Sequence, residues 1–454
     1  MERGGSKALR LVVQIVLARI LAPSEFGSLA IMLVFITLGD ILVLGGLGSA
    51  LMQSPNDTES EYATAFWLSM LFALVAFAVL LIIAPLISLI YNDATLGPPL
   101  RALAFQFFPL AFNSIQVAKT TKALNMKPVF IGSILAEVLA SILAVAMAYL
   151  GYGIWSLVAQ QLASAFLTCL ITATMVRWYP RICFNRYDAL SLLQFGWKVM
   201  GTDLLNNITG SLYTLVIGKC YTAEQLGFYS QGQRYPLACS DVLIGALTPI
   251  LLVDYSKRIQ SNTAKAAAIL GGTTSLVLLA LCPLTFAACL FANQIIALLL
   301  TEKWLPCAFV FQIFCLVSLI RAISLIHRQA ILAIGDSANP MRVSLVSLPV
   351  SIGLLGMVYA CGGDINWAAV TWLLSIAFQQ ALYSKLCKSK LNYKLVQQIK
   401  DLISPMMPSL VSTGIAVVLL LFDLPSPVAV AGYLLTCFLL SWEYMKHNRR
   451  KMFS

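Results

Sequence analysis

Apolar stretches of about 20 residues recur along the whole chain, each closed by a short polar turn. A helix rising about 1.5 Å per residue needs roughly that many to cross the hydrocarbon core of a bilayer. Hydropathy and turn punctuation place such spans at residues 7–21, 27–52, 63–91, 100–118, 128–150, 154–176, 193–218, 227–253, 266–292, 307–327, 341–361, 365–384, 402–422 and 427–445. The pattern predicts an all-α polytopic membrane protein with about fourteen transmembrane helices. Connections are short, the longest falling near 293–306 and 385–401, which leaves no place for a soluble catalytic domain. The first span is short and few residues precede it, so the chain is expected to start late or to have been cut.

The polar positions between spans set the orientation. Lys and Arg in alternate connections number 23 on one side, from Arg3, Lys7 and Arg10 through Lys257, Arg258 and Lys265 to Lys446, Arg449, Arg450 and Lys451. The other side holds 3, namely Arg101, Lys219 and Lys303. Basic residues stay on the cytoplasmic side, so both termini are expected there and the number of spans is even. The net charge of +11 is mostly this asymmetry. Because it is split over many loops, no nucleic-acid partner is expected.

The polar punctuation also repeats. "LARILAPSEFGSLA" at 17–30 has a worn copy in "IGKCYTAEQLGFYS" at 217–230. At a constant offset, Val16 matches Val216, Arg19 matches Lys219 and Gly27 matches Gly227, and Gly45, Leu47 and Leu51 match Gly245, Leu247 and Leu251. A second echo sets "AFQFFPL" at 104–110 against "VFQIFCL" at 310–316. Six spans separate the copies, an even number, so both enter the membrane in the same direction. The expected plan is two like-oriented six-helix bundles, residues 1–186 and 187–392, with two extra C-terminal helices and a basic tail over 393–454. Proteins built this way carry their substrate between the bundles, which points to transport. Arg19 would snorkel at the outer end of the first helix; Pro23 would end that helix and Gly27 open the next.

Composition sharpens this reading. The chain is 59% hydrophobic and 11% charged, against about 25% charged in a soluble protein. The eleven cysteines are scattered through apolar helices without a CxxC, so no metal site or disulfide framework is suggested. No GxSxG, HExxH or P-loop pattern stands in a fitting context. Polymerases and ligases of surface polysaccharide generally need a large outer loop, whereas these outer loops are tiny and the two histidines, His327 and His447, lie on the other side. An enzyme and a purely structural scaffold are both disfavoured, and no cofactor is expected.

At these motifs the chain meets a known family. "LARILAPSEFG", followed two helices later by a short polar loop, resembles the Wzx-type polysaccharide transporters, which belong with the multidrug and toxic-compound extruders and the lipid II flippases. "FGWKVMGTDLLNNI" at 195–208 and "IGKCYTAEQLGFYSQGQRYPL" at 217–237 resemble that family's start of the second half. The resemblance covers nearly the whole chain, including the helix count. It departs at Tyr213, where members often have an acidic residue. The resemblance implies a central cavity and a flippase that moves polyprenyl-diphosphate-linked oligosaccharide from the cytoplasmic to the outer leaflet of the bacterial inner membrane. The product would be O-antigen, capsule or exopolysaccharide, the mechanism alternating access, and the partners membrane lipid, a polysaccharide polymerase and chain-length proteins.

Such a flippase needs a wet cavity, cations for the diphosphate and helices that bend. Pro109, Pro236, Pro249, Pro283 and Pro349 are candidate bends. Charges inside spans are costly and usually face a cavity or a partner. The cations are Lys198, Arg234 and Arg321, read as candidates for the diphosphate and sugars. Among the acids, Asp40, Asp203 and Glu137 are candidates for ion coupling. Each has a structural alternative: Arg321 would pair with an acid on a neighbouring helix, Arg234 with Asp241 seven residues on, Lys198 would snorkel, and Asp40 would neutralise an arginine. Trp155, Trp178, Trp304 and Trp442 are expected as interface anchors; Asn206 and Asn207 could hydrogen-bond sugars, with helix–helix glue the preferred reading. A proton- or sodium-coupled multidrug exporter on the same fold stays as the alternative. It would want a mainly acidic, aromatic cavity, and three cations against four acids do not decide the matter.

Overall fold

Among the described residues, every regular element of the computed structural model is helical, as the periodicity predicts. The structure describes residues 2–54, 58–261, 266–336, 338–421 and 426–453. Of the residues singled out above, Lys265 lies outside these, as do the side chains of Arg3, Lys7, Asn206, Pro249, Lys257, Arg258, His447, Arg449, Arg450 and Lys451. By contact the chain divides into two units, Met1–Ser230 and Gln231–Ser454.

The first unit opens with α1 (Glu2–Ile20) and α2 (Pro23–Leu44). Pro23 is the first residue of α2, where its missing N–H costs nothing and its fixed φ already suits a helix. Gly27 therefore sits one turn inside α2 and does not open it. The predicted 27–52 span is broken at Gly45 and Gly46, both left-handed at φ 49° and 67°, before the short α3 (Leu47–Gln53). Next comes α4 (Glu59–Tyr91), started by Thr58, whose hydroxyl accepts from the Glu61 N–H at 3.3 Å. The 100–118 span is likewise compound: α5 (Gly97–Leu103), a 3-10 turn at Ala104–Gln106, then α6 (Phe107–Lys122). The unit continues with α7 (Lys127–Tyr149), α8 (Ile154–Val176) and α9 (Arg186–Cys220). Its apolar core gathers Tyr62, Phe66, Ile115 and Trp178. Trp178 is thus no interface anchor: it is buried edge-on against Tyr62 and Phe66, with its N–H donated to Glu59 at 2.8 Å.

α10 (Ala223–Ser261) crosses the division between the units. The second unit then holds α11 (Ala266–Leu290), α12 (Ala292–Leu299), a 3-10 segment at Glu302–Cys307, α13 (Ala308–Ala333), α14 (Ala338–Ala360), α15 (Ile365–Leu391), α16 (Leu395–Leu421) and α17 (Ser426–Phe453). Trp304 is also buried, whereas Trp155 and Trp442 are exposed as anchors would be. Leu270, Ile326, Tyr383 and Tyr393 anchor this unit's core. Pro283 and Pro349 lie inside α11 and α14, where a carbonyl one turn earlier loses its donor.

Among the described residues, eight helical stretches are long and apolar enough to cross a membrane by length and composition. They are Pro23–Gln53, Glu59–Tyr91, Lys127–Tyr149, Ile154–Val176, Ala266–Leu290, Glu302–Ala333, Ala338–Ala360 and Leu395–Leu419. α9 and α10 are not among them: polar residues such as Lys198, Asp203, Asn207, Arg234 and Asp241 dilute their apolar windows.

The sequence echo has a physical counterpart at two helix starts. Before α2 the Ala22 N–H donates to Glu25 Oε2 at 2.8 Å. Before α10 the Thr222 N–H donates to Gln225 Oε1 at 3.1 Å, and the Gln225 N–H returns to Thr222 Oγ1 at 3.2 Å. Both use the residue at the third helical position to satisfy an end-of-helix donor. The two starts also touch: a Cβ on Gly27 would lie 1.8 Å from the Ala223 carbonyl oxygen, and one on Gly227 1.9 Å from that of Pro23.

Candidate functional site

Charged side chains within apolar helices are costly unless they meet a partner or a cavity. In the second unit, Arg321 and Asp241 form such a pair: Nη2 donates to Asp241 Oδ1 at 2.8 Å, with the two side chains 30% and 47% exposed. Nη1 lies 3.5 Å from the Ser240 hydroxyl oxygen. Both residues stand near helix middles. α13 runs on to Ala333, not to 327 as the hydropathy suggested, so Arg321 is about 18 Å from that helix end at the usual helical rise. Asp241 is near the middle of the 39-residue α10. Asp241 thus has an interhelical partner in Arg321; Arg234, seven residues earlier on α10, is half-buried.

In the first unit α9 carries Lys198, Thr202, Asp203 and Asn207, all exposed. The hydroxyl of Thr202 donates to the Lys198 carbonyl and the Asn207 amide to the Asp203 carbonyl, each at 2.9 Å. These polar groups are therefore held along their own helix. Asn207 is not interhelical glue, and the charged ends of Lys198 and Asp203 face outward.

Asp40, on α2 of the same unit, takes the amide of Gln106 at 3.4 Å and not an arginine. Gln106 reaches it from the 3-10 turn between α5 and α6, and Gly39 makes room for the neighbouring Phe107 ring: a Cβ there would lie 2.2 Å from its Cζ. At the offset of the repeat, position 40 corresponds to Ser240, beside Asp241. The matched helices α2 and α10 thus each bring a polar group to the same register, contacted by Gln106 in one copy and by Arg321 in the other.

Glu137 has a different setting. It is 5% exposed, and α1 and α8 surround it with polar partners. Arg10 Nε stands 3.6 Å away, Ser164 donates to it at 2.9 Å and Gln160 at 3.3 Å. Gln14 donates on to Gln160 at 3.0 Å and Arg10 to Gln161 at 2.7 Å, so the carboxylate is one member of a seam joining α1, α7 and α8. Such a buried polar network holds helices together.

Sequence reasoning missed a second buried cluster in the second unit. His327, placed by the sequence away from the outer loops, is 1% exposed and its Nδ1 meets Gln380 Nε2 at 2.8 Å. Gln380 in turn accepts from Ser324 at 2.8 Å. The Tyr393 ring stands edge-on to His327, and its hydroxyl donates to the buried Asp401 at 2.9 Å. Periodicity holds no signal for it: the partners come from three helices and a connection. At the α13–α14 junction the Asn339 side chain and backbone N–H donate to Asp336, with Lys390 at 3.6 Å, and these hold its carboxyl below the usual range. Tyr213, at the position where the resembled family often has an acid, is buried.

A family model described as "Polysaccharide biosynthesis protein" matches residues 16–309. The chain is 26% identical over 310 residues to the succinoglycan biosynthesis transport protein ExoT of Rhizobium meliloti (strain 1021), covering 67% of this chain and 61% of that one. It is 24% identical to the lipopolysaccharide biosynthesis protein WzxC of Escherichia coli (strain K12), covering 76% of this chain and 71% of the other. Among solved structures, the lipid II flippase MurJ in an inward closed conformation superposes with a TM-score of 0.79 over 97% of both chains, at 12% identity. That likeness concerns the fold. With the family model matching well over half of its length, the chain belongs to the polysaccharide biosynthesis protein family.

Proposed function

We propose that this protein is a flippase that carries polyprenyl-diphosphate-linked oligosaccharide from the cytoplasmic to the outer leaflet of the bacterial inner membrane for surface polysaccharide synthesis. The observation that carries the reading is the exposed Arg321–Asp241 pair in the middle of two helices of a strongly apolar chain. The sugars and diphosphate cannot enter hydrocarbon, because each unpaired polar group there costs several kcal/mol. A wetted guanidinium partway across offers them fork-shaped donors that match phosphoryl oxygens. Lys198 and, in second place, Arg234 are the further cationic candidates for the substrate.

Relatives named for transport and for surface polysaccharide synthesis support the same substrate class. The proposed topology has about fourteen spans, both termini cytoplasmic and like-oriented bundles over 1–186 and 187–392, working by alternating access. Membrane lipid holds the polyprenyl tail, and a polymerase with chain-length proteins takes the product. Asp40 and Asp203 would carry the coupling ion. Glu137, the third candidate from the sequence, we assign to the helix seam.

Gene deletion with complementation tests this. Loss of surface polysaccharide with lipid-linked units accumulating in the inner leaflet is the expected phenotype, rescued by wild type and not by Arg321→Ala at equal membrane levels. Unchanged polysaccharide with raised sensitivity to cationic drugs would instead make the protein an exporter.

A further inference from the structure

We infer that Asp241 is a resident competitor for the diphosphate site: its carboxylate occupies Arg321 when the site is empty, must be displaced for the phosphoryl groups to bind, and returns to release them. The inference rests on the reading of Arg321 as a ligand and goes beyond it by giving Asp241 a part in turnover.

The argument starts from charge. A guanidinium left alone in an apolar chain is costly, and a carboxylate 2.8 Å away removes most of that cost. The same contact neutralises the pair, so an approaching diphosphate meets no net positive charge until the carboxylate leaves. Carboxylate and phosphoryl oxygens seek the same planar N–H donors, so they compete for one geometry. Arg321 engages Asp241 through Nη2 and lies at the limit of hydrogen-bond reach from Ser240 through Nη1, so exchange requires breaking one short ionic contact.

The exposure of the acid decides whether exchange is feasible. With its side chain 47% exposed, Asp241 is not enclosed by neighbouring side chains, so its carboxylate has room to swing away from Arg321. A fully buried pair would resist opening, because breaking it leaves an uncompensated buried charge. A part-exposed pair is held less tightly than a buried one and opens more readily. A carrier needs this balance, since a bare arginine would hold a dianionic group too firmly to let it go on the far side.

The test titrates undecaprenyl diphosphate into the purified full-length protein in detergent, following tryptophan fluorescence, for wild type, Asp241→Asn, Asp241→Glu, Arg321→Ala and the double variant Asp241→Asn/Arg321→Ala. Each variant is first checked for monodisperse elution and wild-type helical content. The expected result is about three- to tenfold tighter binding by Asp241→Asn, near-wild-type binding by Asp241→Glu, and loss of the gain when Arg321 is absent. In cells Asp241→Asn should slow polysaccharide export despite its tighter binding. If Arg321→Ala weakens binding while Asp241→Asn does not tighten it, the competitor role falls and Arg321 remains a ligand. A gain that persists without Arg321 also overturns it, because the acid then acts only through its general field. If Arg321→Ala binds as wild type does, the ligand reading itself falls.

Discussion

Gly27 and Gly227, matched at a constant offset in the chain, meet in backbone contact where α2 and α10 begin. A Cβ on either would enter the carbonyl group of the other helix's first residue, at 1.8 and 1.9 Å. Alanine at either position therefore forces the helix starts apart. Gly27→Ala and Gly227→Ala should each cost about 1–3 kcal/mol or more, read as a lower thermal midpoint and less protein in the membrane. Gly245→Ala serves as the contrast: nothing lies within 4 Å of its added carbon, so its midpoint should match wild type. Equal behaviour of all three would remove the contact as the reason for the repeated glycine.

Glu137 is expected to matter for folding and not for transport. Glu137→Ala strands the donors of Ser164 and Gln160 in a buried seam and should destabilise by about 1–3 kcal/mol. Glu137→Gln keeps an acceptor for them and should cost less. Thermal unfolding of the two variants, alongside ion-dependent export, checks this. Export abolished in Glu137→Gln at wild-type stability would return the residue to ion coupling.

Asp40 has the opposite profile. Its partner is a neutral amide, and in Asp40→Asn an amide oxygen can still accept from Gln106. The variant should reach the membrane at wild-type levels and melt within about 1 kcal/mol of wild type, yet lose the dependence of export on the ion gradient. Export that keeps its normal ion dependence would clear Asp40 of that role.

Asp336 makes the junction of α13 and α14 sensitive to acid. Its folded pKa is depressed by Asn339 first and Lys390 after, so its contribution to stability is complete above the unfolded carboxylate range and fades as pH falls through the folded value. Asp336→Asn should lower stability slightly at neutral pH, by less than about 1 kcal/mol at a solvent-accessible, salt-screened site. The difference from wild type should vanish in strong acid. A gap that widens on acidification would reverse the sign of this linkage.

Helix periodicity was legible because burial in lipid demands one signal, an unbroken apolar run. Interruptions inside a run were less so. The break at Gly45–Gly46 and the 3-10 turn at Ala104–Gln106 leave hydropathy unchanged, yet the turn delivers Gln106 to Asp40. Trp178 and Trp304 sit near span ends like interface anchors, but neighbouring elements cover them. The seven-residue spacing of Arg234 and Asp241 measures one helix face and carries no sign that Arg321 reaches Asp241 from another helix.

The amino-acid order alone determined that this chain is a helical, strongly apolar protein with in-span charges and a repeated helix start. Those properties are local, set by hydropathy, capping residues and glycine. Tertiary structure decided which charge meets which: Arg321 with Asp241, Asp40 with Gln106, Glu137 with its seam. Such pairings depend on which helix faces pack together, and a few ångströms between helices separate a ligand from a buttress. Local sequence carries no measure of that distance.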